Sequence, residues 1–300
     1  MGYWLRTLQC VWQYGFICDA FWLSEWRDMK RVMLTVAYDG TNYRGWQIQP
    51  NGETIEGILN RCLSDLMGER IEVIGASRTD SGVHAMGNVA VFDTDSPIPA
   101  DKIAYALNRR LPEDIRVRRS EEVPSDFHPR RGVSSKTYEY RIYCAPFPMP
   151  IKRLYAHFTY VPLDIDLMRQ AGEYLVGTHD FKSFCTVGAQ VETTVRQIES
   201  LEVWAEYGRK DRTAEETGGA ERYADREIVI RVTGYGFLYN MVRIIAGTLM
   251  EVGRGHIAPQ DVQLILEARD RQAAGPTAPA CGLTLIGIEY PELGRITSEE

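Results

Sequence analysis

The stretch Ala76-Ser77-Arg78-Thr79-Asp80-Ser81-Gly82-Val83-His84-Ala85 joins two apolar runs that read as strands, 71–76 and 88–92. Ser81-Gly82 is turn chemistry, so the acid just before it is presented at a rim and not inside a core. Residues two apart in an extended segment share a side, which lets Arg78 face Asp80. A guanidinium beside a carboxylate holds it ionised even when half buried. By itself the triplet Arg-Thr-Asp also fits an aspartate capping a turn, with the arginine as a surface partner.

Outward from this stretch the chain keeps a regular order. Upstream, Val32, Leu34, Val36 and Tyr38 alternate as a strand, and Asp39-Gly40 opens a loop that runs to Gly52. Ile55, Ile58, Leu59, Cys62, Leu63, Leu66 and Met67 recur at helical spacing. Downstream, 100–110 reads as a helix and 114–119 as a strand. The second half repeats the pattern: a strand over 136–144, a helix capped by Asp164, and strands over 195–203 and 227–233. A helix from Phe237 to about Val252 follows, then a shorter one after Pro259 and a last strand over 283–290. A polar insert, 206–225, reads as a mobile loop.

The fold class expected is α+β: two similar split β-α-β-β-α-β halves, 29–130 and 131–292, with a catalytic cleft between their sheets. Helices on one face of each sheet leave the other face for a ligand. Sheets of this kind serve as RNA platforms, although the fold alone assigns no function.

Composition is that of a folded globular chain: 300 residues, 44% apolar and 25% charged. A net charge of -7 argues against a general basic coat; residues 128–143, with Arg130, Arg131, Lys136 and Arg141 against Glu139, are a candidate positive patch, although a run of this size is more often a solvated face. Cysteines at 10, 18, 62, 144, 185 and 281 show no metal-binding or disulfide spacing, which fits free thiols in the cytoplasm. The first 28 residues hold Trp4, Trp12, Trp22 and Trp26 but no period. They are too interrupted for a membrane helix and lack the parts of a signal peptide. The folded domain is expected to begin near Met29-Lys30, with 1–28 an appendage.

Familiar cofactor signatures are missing. There is no P-loop, Gly234-Tyr-Gly236 lacks a third glycine, and no His-Glu-x-x-His or Gly-x-Ser-x-Gly occurs. The opening stretch instead resembles a family motif. Ser77-Arg78-Thr79-Asp80-Ser81-Gly82-Val83-His84-Ala85 is similar to Gly-Arg-Thr-Asp-Ala-Gly-Val-His-Ala of the tRNA pseudouridine synthase A family. The resemblance extends to Tyr38-Asp39-Gly40-Thr41-Asn42-Tyr43-Arg44-Gly45-Trp46-Gln47, Asp126-Phe127-His128 and Lys136-Thr137-Tyr138-Glu139-Tyr140. It continues through Asn240-Met241-Val242-Arg243-Ile244-Ile245-Ala246-Gly247 and Gly282-Leu283-Thr284-Leu285, in order, from about 30 to 291.

The resemblance implies isomerisation of uridine to pseudouridine in the anticodon arm of tRNA, at positions 38, 39 and 40, with no metal or other cofactor. It implies that Asp80 is the catalytic carboxylate and that Arg78 keeps it charged and engages the everted nucleotide. Tyr138 would stack on the uracil; as a residue alone it reads as an ordinary strand tyrosine. Arg243, set in an apolar helix segment, calls for a carboxylate partner, and Asp80 is the natural one. Leu283 would wall the pocket. Asp39 and His128 read as architectural. The family is homodimeric, and two copies would gather Arg109, Arg110, Arg130, Arg131 and Lys136 along the tRNA. Ser77 and Ser81 stand where glycine and alanine are usual, and Asn88 where glutamine is common. Two other functions are compatible with the same residues: a non-catalytic RNA-binding relative, and a nucleoside hydrolase using Asp80.

Overall fold

In the computed structural model, which describes residues 29–186, 188, 191–207 and 226–293, the first alternating run becomes strand β1, Lys30–Tyr38. It is followed by α1 (Ile55–Met67), β2 (Ile74–Gly75), β3 (His84–Thr94), α2 (Ala100–Leu107) and β4 (Ile115–Val123). The second half supplies β5 (Ser135–Cys144), β6 (His157–Thr159), α3 (Ile165–Glu173), β7 (Gly177–Asp180) and β8 (Val195–Tyr207). It ends with β9 (Arg226–Tyr235), α4 (Met241–Gly253), α5 (Asp261–Ala268) and β10 (Leu283–Glu289). The α+β order expected from the sequence holds, with β6 and β7 as additions. The expectations for 1–28 and for 208–225 fall outside the described residues, and positions 206 and 207 belong to β8.

The strands make one sheet in the order β4-β1-β3-β10-β5-β9-β8-β7, with β2 paired to β3 and β6 to β5. The two sheets expected from the sequence are therefore continuous. Their seam is the parallel pair of β3 and β10, with Thr284 opposite His84 and Leu285 opposite Ala85. Across its other edge β10 runs antiparallel to β5, placing Leu283 opposite Tyr140 and Leu285 opposite Tyr138. The seam sets the loop that ends at β3 beside the strand that carries Tyr138.

Local chemistry explains the elements and their departures from expectation. Thr54 caps α1 by accepting from Gly57 N, Gly68 ends it at φ 74, and Ile55, Ile58, Leu59, Cys62 and Leu63 form its buried face. Each of the isoleucine and leucine side chains contributes about 1.5–3 kcal/mol on burial. Asp164 caps α3 as expected, accepting from Asp166 N and Leu167 N. The strand expected over 71–76 shrinks to Ile74–Gly75 because α1 takes its donors. Ile71 N donates to Ser64 Oγ and Val73 N to Asn60 Oδ1.

Helix α4 begins at Met241, not at Phe237, because Gly236 at φ 75 and Asn240 at φ 61 both occupy left-handed backbone. The apolar side chains of 237–240 therefore belong to a loop. Strand β5 turns successive residues to opposite faces of the sheet. Tyr138, Tyr140 and Ile142 are buried in the main core, whereas Glu139 pairs with Arg141 and Arg231 on the opposite face.

Candidate active site

Loop 76–83 is held from beneath by a buried polar network. Asn88 Nδ2 donates to Ser77 O at 3.0 Å and to the Tyr38 hydroxyl at 3.2 Å. That hydroxyl shares a 2.7 Å hydrogen bond with Thr79 Oγ1. From the side, Trp46 N donates to Thr79 O at 3.1 Å and Ser81 Oγ to Tyr43 O at 3.2 Å. Val83 N closes a turn onto Asp80 O at 3.1 Å, with Gly82 at φ 77, so Ser81-Gly82 turns the chain as its chemistry demands. These contacts leave Asp80 half buried at the wall of a cleft of about 780 Å³.

The partner of Asp80 is Arg243. Nη1 of Arg243 lies 3.3 Å from Asp80 Oδ2, while its Nε donates to Ala278 O at 2.7 Å and Nη1 also to Asn240 Oδ1 at 2.8 Å. The pairing that the buried arginine calls for is thus present. The pairing of Arg78 with Asp80 is not: Arg78 is exposed along the cleft and makes no hydrogen bond or ion pair with a described residue. The alternation rule fails there because 76–80 is a bent loop outside any strand ladder. Burial raises the Asp80 carboxyl above its ordinary range, and the Arg243 charge and hydrogen bond offset part of that rise.

Tyr138 closes the cleft from β5. Its hydroxyl shares a 2.8 Å hydrogen bond with Ser77 Oγ, and its ring meets Phe237 edge-on at 5.2 Å between centroids. Burial pushes this phenol up to about 12; Ser77 works against the rise and the Asp80 charge adds to it. Leu283, the first residue of β10, also lines the cleft, as do Arg130 and Lys136. Arg109, Arg110 and Arg131 are exposed but lie outside this lining.

The sequence reading places Asn240 within a motif but assigns no site role to the far wall. Phe237, Tyr239 and Asn240 line the cleft from the loop before α4; Gly236 and Asn240, two residues tolerant of left-handed backbone, were the available signal. Asp39 braces its own loop, accepting from Thr41 N at 3.0 Å and from the Tyr155 hydroxyl at 2.7 Å. His128 Nδ1 accepts from Arg130 N at 3.2 Å. Among the described residues no group of three or more His, Cys, Asp or Glu side chains is arranged to hold a metal ion. None of the described helices is long and apolar enough to cross a membrane.

The sheet and cleft define a class: an α+β protein with one paired carboxylate facing a roomy pocket walled by aromatic rings and cationic side chains. Comparison with known proteins narrows it. A family model described as tRNA pseudouridine synthase matches residues 34–130 and 171–291. The tRNA pseudouridine synthase A of Ruminiclostridium cellulolyticum is 45% identical over 87% of this chain and 100% of the relative. That of Acetivibrio thermocellus is 44% identical and that of Brevibacillus brevis 45% identical, with the same coverage. Among solved structures, a Cbf5-Nop10-Gar1 complex aligns at a TM-score of 0.26 and 12% identity, over 84% of this chain and 56% of that one, too slight a likeness to bear on the fold. The chain belongs to the tRNA pseudouridine synthase family.

Proposed function

We propose that this chain isomerises uridine to pseudouridine in the anticodon arm of tRNA, at positions 38, 39 and 40, with Asp80 as the reacting carboxylate and no cofactor. The observation that carries this reading is the Asp80–Arg243 pair, 3.3 Å apart and half buried in a cleft large enough for a nucleotide. The reaction exchanges one ribose bond for another: C1′ leaves N1 and joins C5 of the same ring. It needs one placed carboxylate and a sheltered pocket that keeps the detached base.

In this reading the halves 29–130 and 131–292 each supply one side of the site. The first contributes Arg78 and Asp80; the second contributes Tyr138, Arg243 and Leu283. The uridine swings out of the arm, its ring lies along Tyr138, and its ribose meets Asp80. Arg78, free of any described partner, is available at the cleft for the nucleotide phosphate. Two copies of the chain acting in the cytoplasm would extend the basic track through Arg109, Arg110, Arg130 and Arg131.

The test uses tRNA carrying tritium at C5 of uridine. The wild type releases label to water and converts unlabelled tRNA to an isomer of unchanged mass; Asp80→Asn does neither and still binds the tRNA. Label release by that variant overturns the reading. Free uracil among the products would identify a hydrolase, and binding without any product would identify a non-catalytic RNA-binding protein.

A further inference from the structure

Lys136 brings a cation into the cleft with no acid to answer it. Its Nζ donates to Ala76 O at 3.0 Å, and no carboxylate of a described residue lies within ion-pair distance. Among the described residues, the charged and titratable groups that line the cleft with it are Arg130 before β5, Arg78 and Asp80 on the loop, Tyr138 on its own strand and Tyr239 before α4. At its register β9 offers Gly234 and β10 offers Ile288, neither of which carries a charge. Burial, with repulsion from Arg130, brings the ammonium down to about 8. A cation kept under those conditions has a use for an anion.

Three contacts cross the cleft in chain order: Lys136 to Ala76, Tyr138 to Ser77, and Arg243 to Asp80. Lys136 and Tyr138 lie two residues apart on β5 and so share a face. On the functional reading above, a nucleotide with its ribose at Asp80 and its ring along Tyr138 would present the far edge of the base on the side of the cleft that Lys136 lines. When the C1′–N1 bond breaks, its electron pair stays with uracil and spreads over N1 and the two carbonyl oxygens. C5 then bonds to C1′, the C5 hydrogen leaves as a proton, and N1 ends protonated, so no atom is gained or lost.

We propose that the Lys136 ammonium contacts a carbonyl oxygen of the uracil and stabilises the negative charge that the base carries while it is detached. The assignment rests on the functional reading above, in which Asp80 and Tyr138 receive the everted uridine. It makes Lys136 a catalytic residue for charge on the base, distinct from a surface lysine that grips the backbone.

The experiment measures single-turnover rate and tRNA affinity for the full-length wild type, Lys136→Gln, Lys136→Arg and Asp80→Asn across pH 6 to 9.5. Removing a donor aimed at developing charge lowers rates by roughly 100- to 1,000-fold. Lys136→Gln is expected to show that loss with affinity changed less than about threefold, as befits an interaction made mainly in the transition state. The wild-type rate is expected to fall as pH rises through about 8, the value to which burial and Arg130 lower the ammonium. Lys136→Gln loses that limb, and Lys136→Arg recovers most of the rate with the limb moved to higher pH. An unchanged Lys136→Gln rate overturns the proposal, as does a loss confined to affinity with a shallower salt dependence, which marks a phosphate contact. Should Lys136→Gln fail to fold, the pH limb of Lys136→Arg decides alone: a limb left in place overturns the assignment. Activity in Asp80→Asn would instead sink the reading of the cleft itself.

Discussion

Arg243 reaches Asp80 from a helix 163 residues further along the chain, and two other acceptors, Ala278 O and Asn240 Oδ1, fix its guanidinium before any substrate arrives. The arginine is therefore preorganised and the aspartate is aimed by it. Asn240 holds its end of the arrangement at φ 61, a left-handed conformation that asparagine tolerates better than most residues.

Replacing Arg243 by methionine removes the charge that offsets burial of Asp80. Burial then acts alone and moves the carboxyl pKa further up. Because the proposed reaction uses the ionised acid, the rising acid limb of the pH–rate profile is expected to shift to higher pH in Arg243→Met. The rate at neutral pH should fall roughly 100-fold or more. Arg243→Lys keeps the charge but loses the fork that binds three acceptors, so its limb should stay nearer the wild-type position while the rate falls at least about tenfold. Single-turnover rates across pH separate the two.

Asp80→Asn should not unfold the protein. A carboxyl whose pKa is raised in the folded state costs stability once ionised. That cost is absent below the ordinary aspartate range, near 3.9, and grows as pH rises through the raised folded value. Asparagine carries no such cost and still offers Arg243 an oxygen. The melting temperature of Asp80→Asn is therefore expected to equal or exceed that of the wild type at pH 7, with the gap closing as pH falls toward 4. Thermal melts over pH 4 to 8 check both the sign and the trend.

The hydrogen bond between Ser77 Oγ and the Tyr138 hydroxyl, 2.8 Å, ties the Asp80 loop to β5. A double-mutant cycle of Ser77→Ala and Tyr138→Phe in urea denaturation should return a coupling of about 0.5–1.5 kcal/mol. Tyr138→Phe keeps the ring and should slow turnover less than about tenfold, whereas Tyr138→Ala removes the wall of the cleft and should slow it far more. Equal losses in the two variants would move the role of Tyr138 from its ring to its hydroxyl.

Much of this was legible locally. The spacing of Ile55, Ile58, Leu59, Cys62 and Leu63 gives the buried face of α1, and Asp164 marks the start of α3. Arg243 announced its need for an acceptor such as an acid because an arginine in an apolar helix segment calls for polar partners. What escaped depended on distant contacts or on bent backbone. The parallel seam of β3 and β10 joins residues about 200 positions apart, and no periodicity encodes it. Arg78 and Asp80 were expected to face each other by strand alternation, but their segment bends outside any ladder. The late start of α4 follows from two positive φ angles that interrupt an otherwise helical pattern.

Gly45 offers a test of how far the Asp80 loop depends on its neighbour. Its φ is 84, and a methyl group there would lie 2.6 Å from Thr79 O, the carbonyl that accepts from Trp46 N. Gly45→Ala therefore carries two penalties: left-handed backbone, about 1–2 kcal/mol, and pressure on the residue before Asp80. Gly68 serves as the control, because its φ is 74 and nothing lies within 4 Å of the added methyl. Gly68→Ala should lower stability by the backbone penalty alone and leave turnover within about twofold. Gly45→Ala should lower stability by more and cut single-turnover rate at least about tenfold, with tRNA affinity preserved because Arg78 and Arg130 are untouched. If the two alanine variants match in both stability and rate, the brace from Gly45 to Thr79 does not position Asp80.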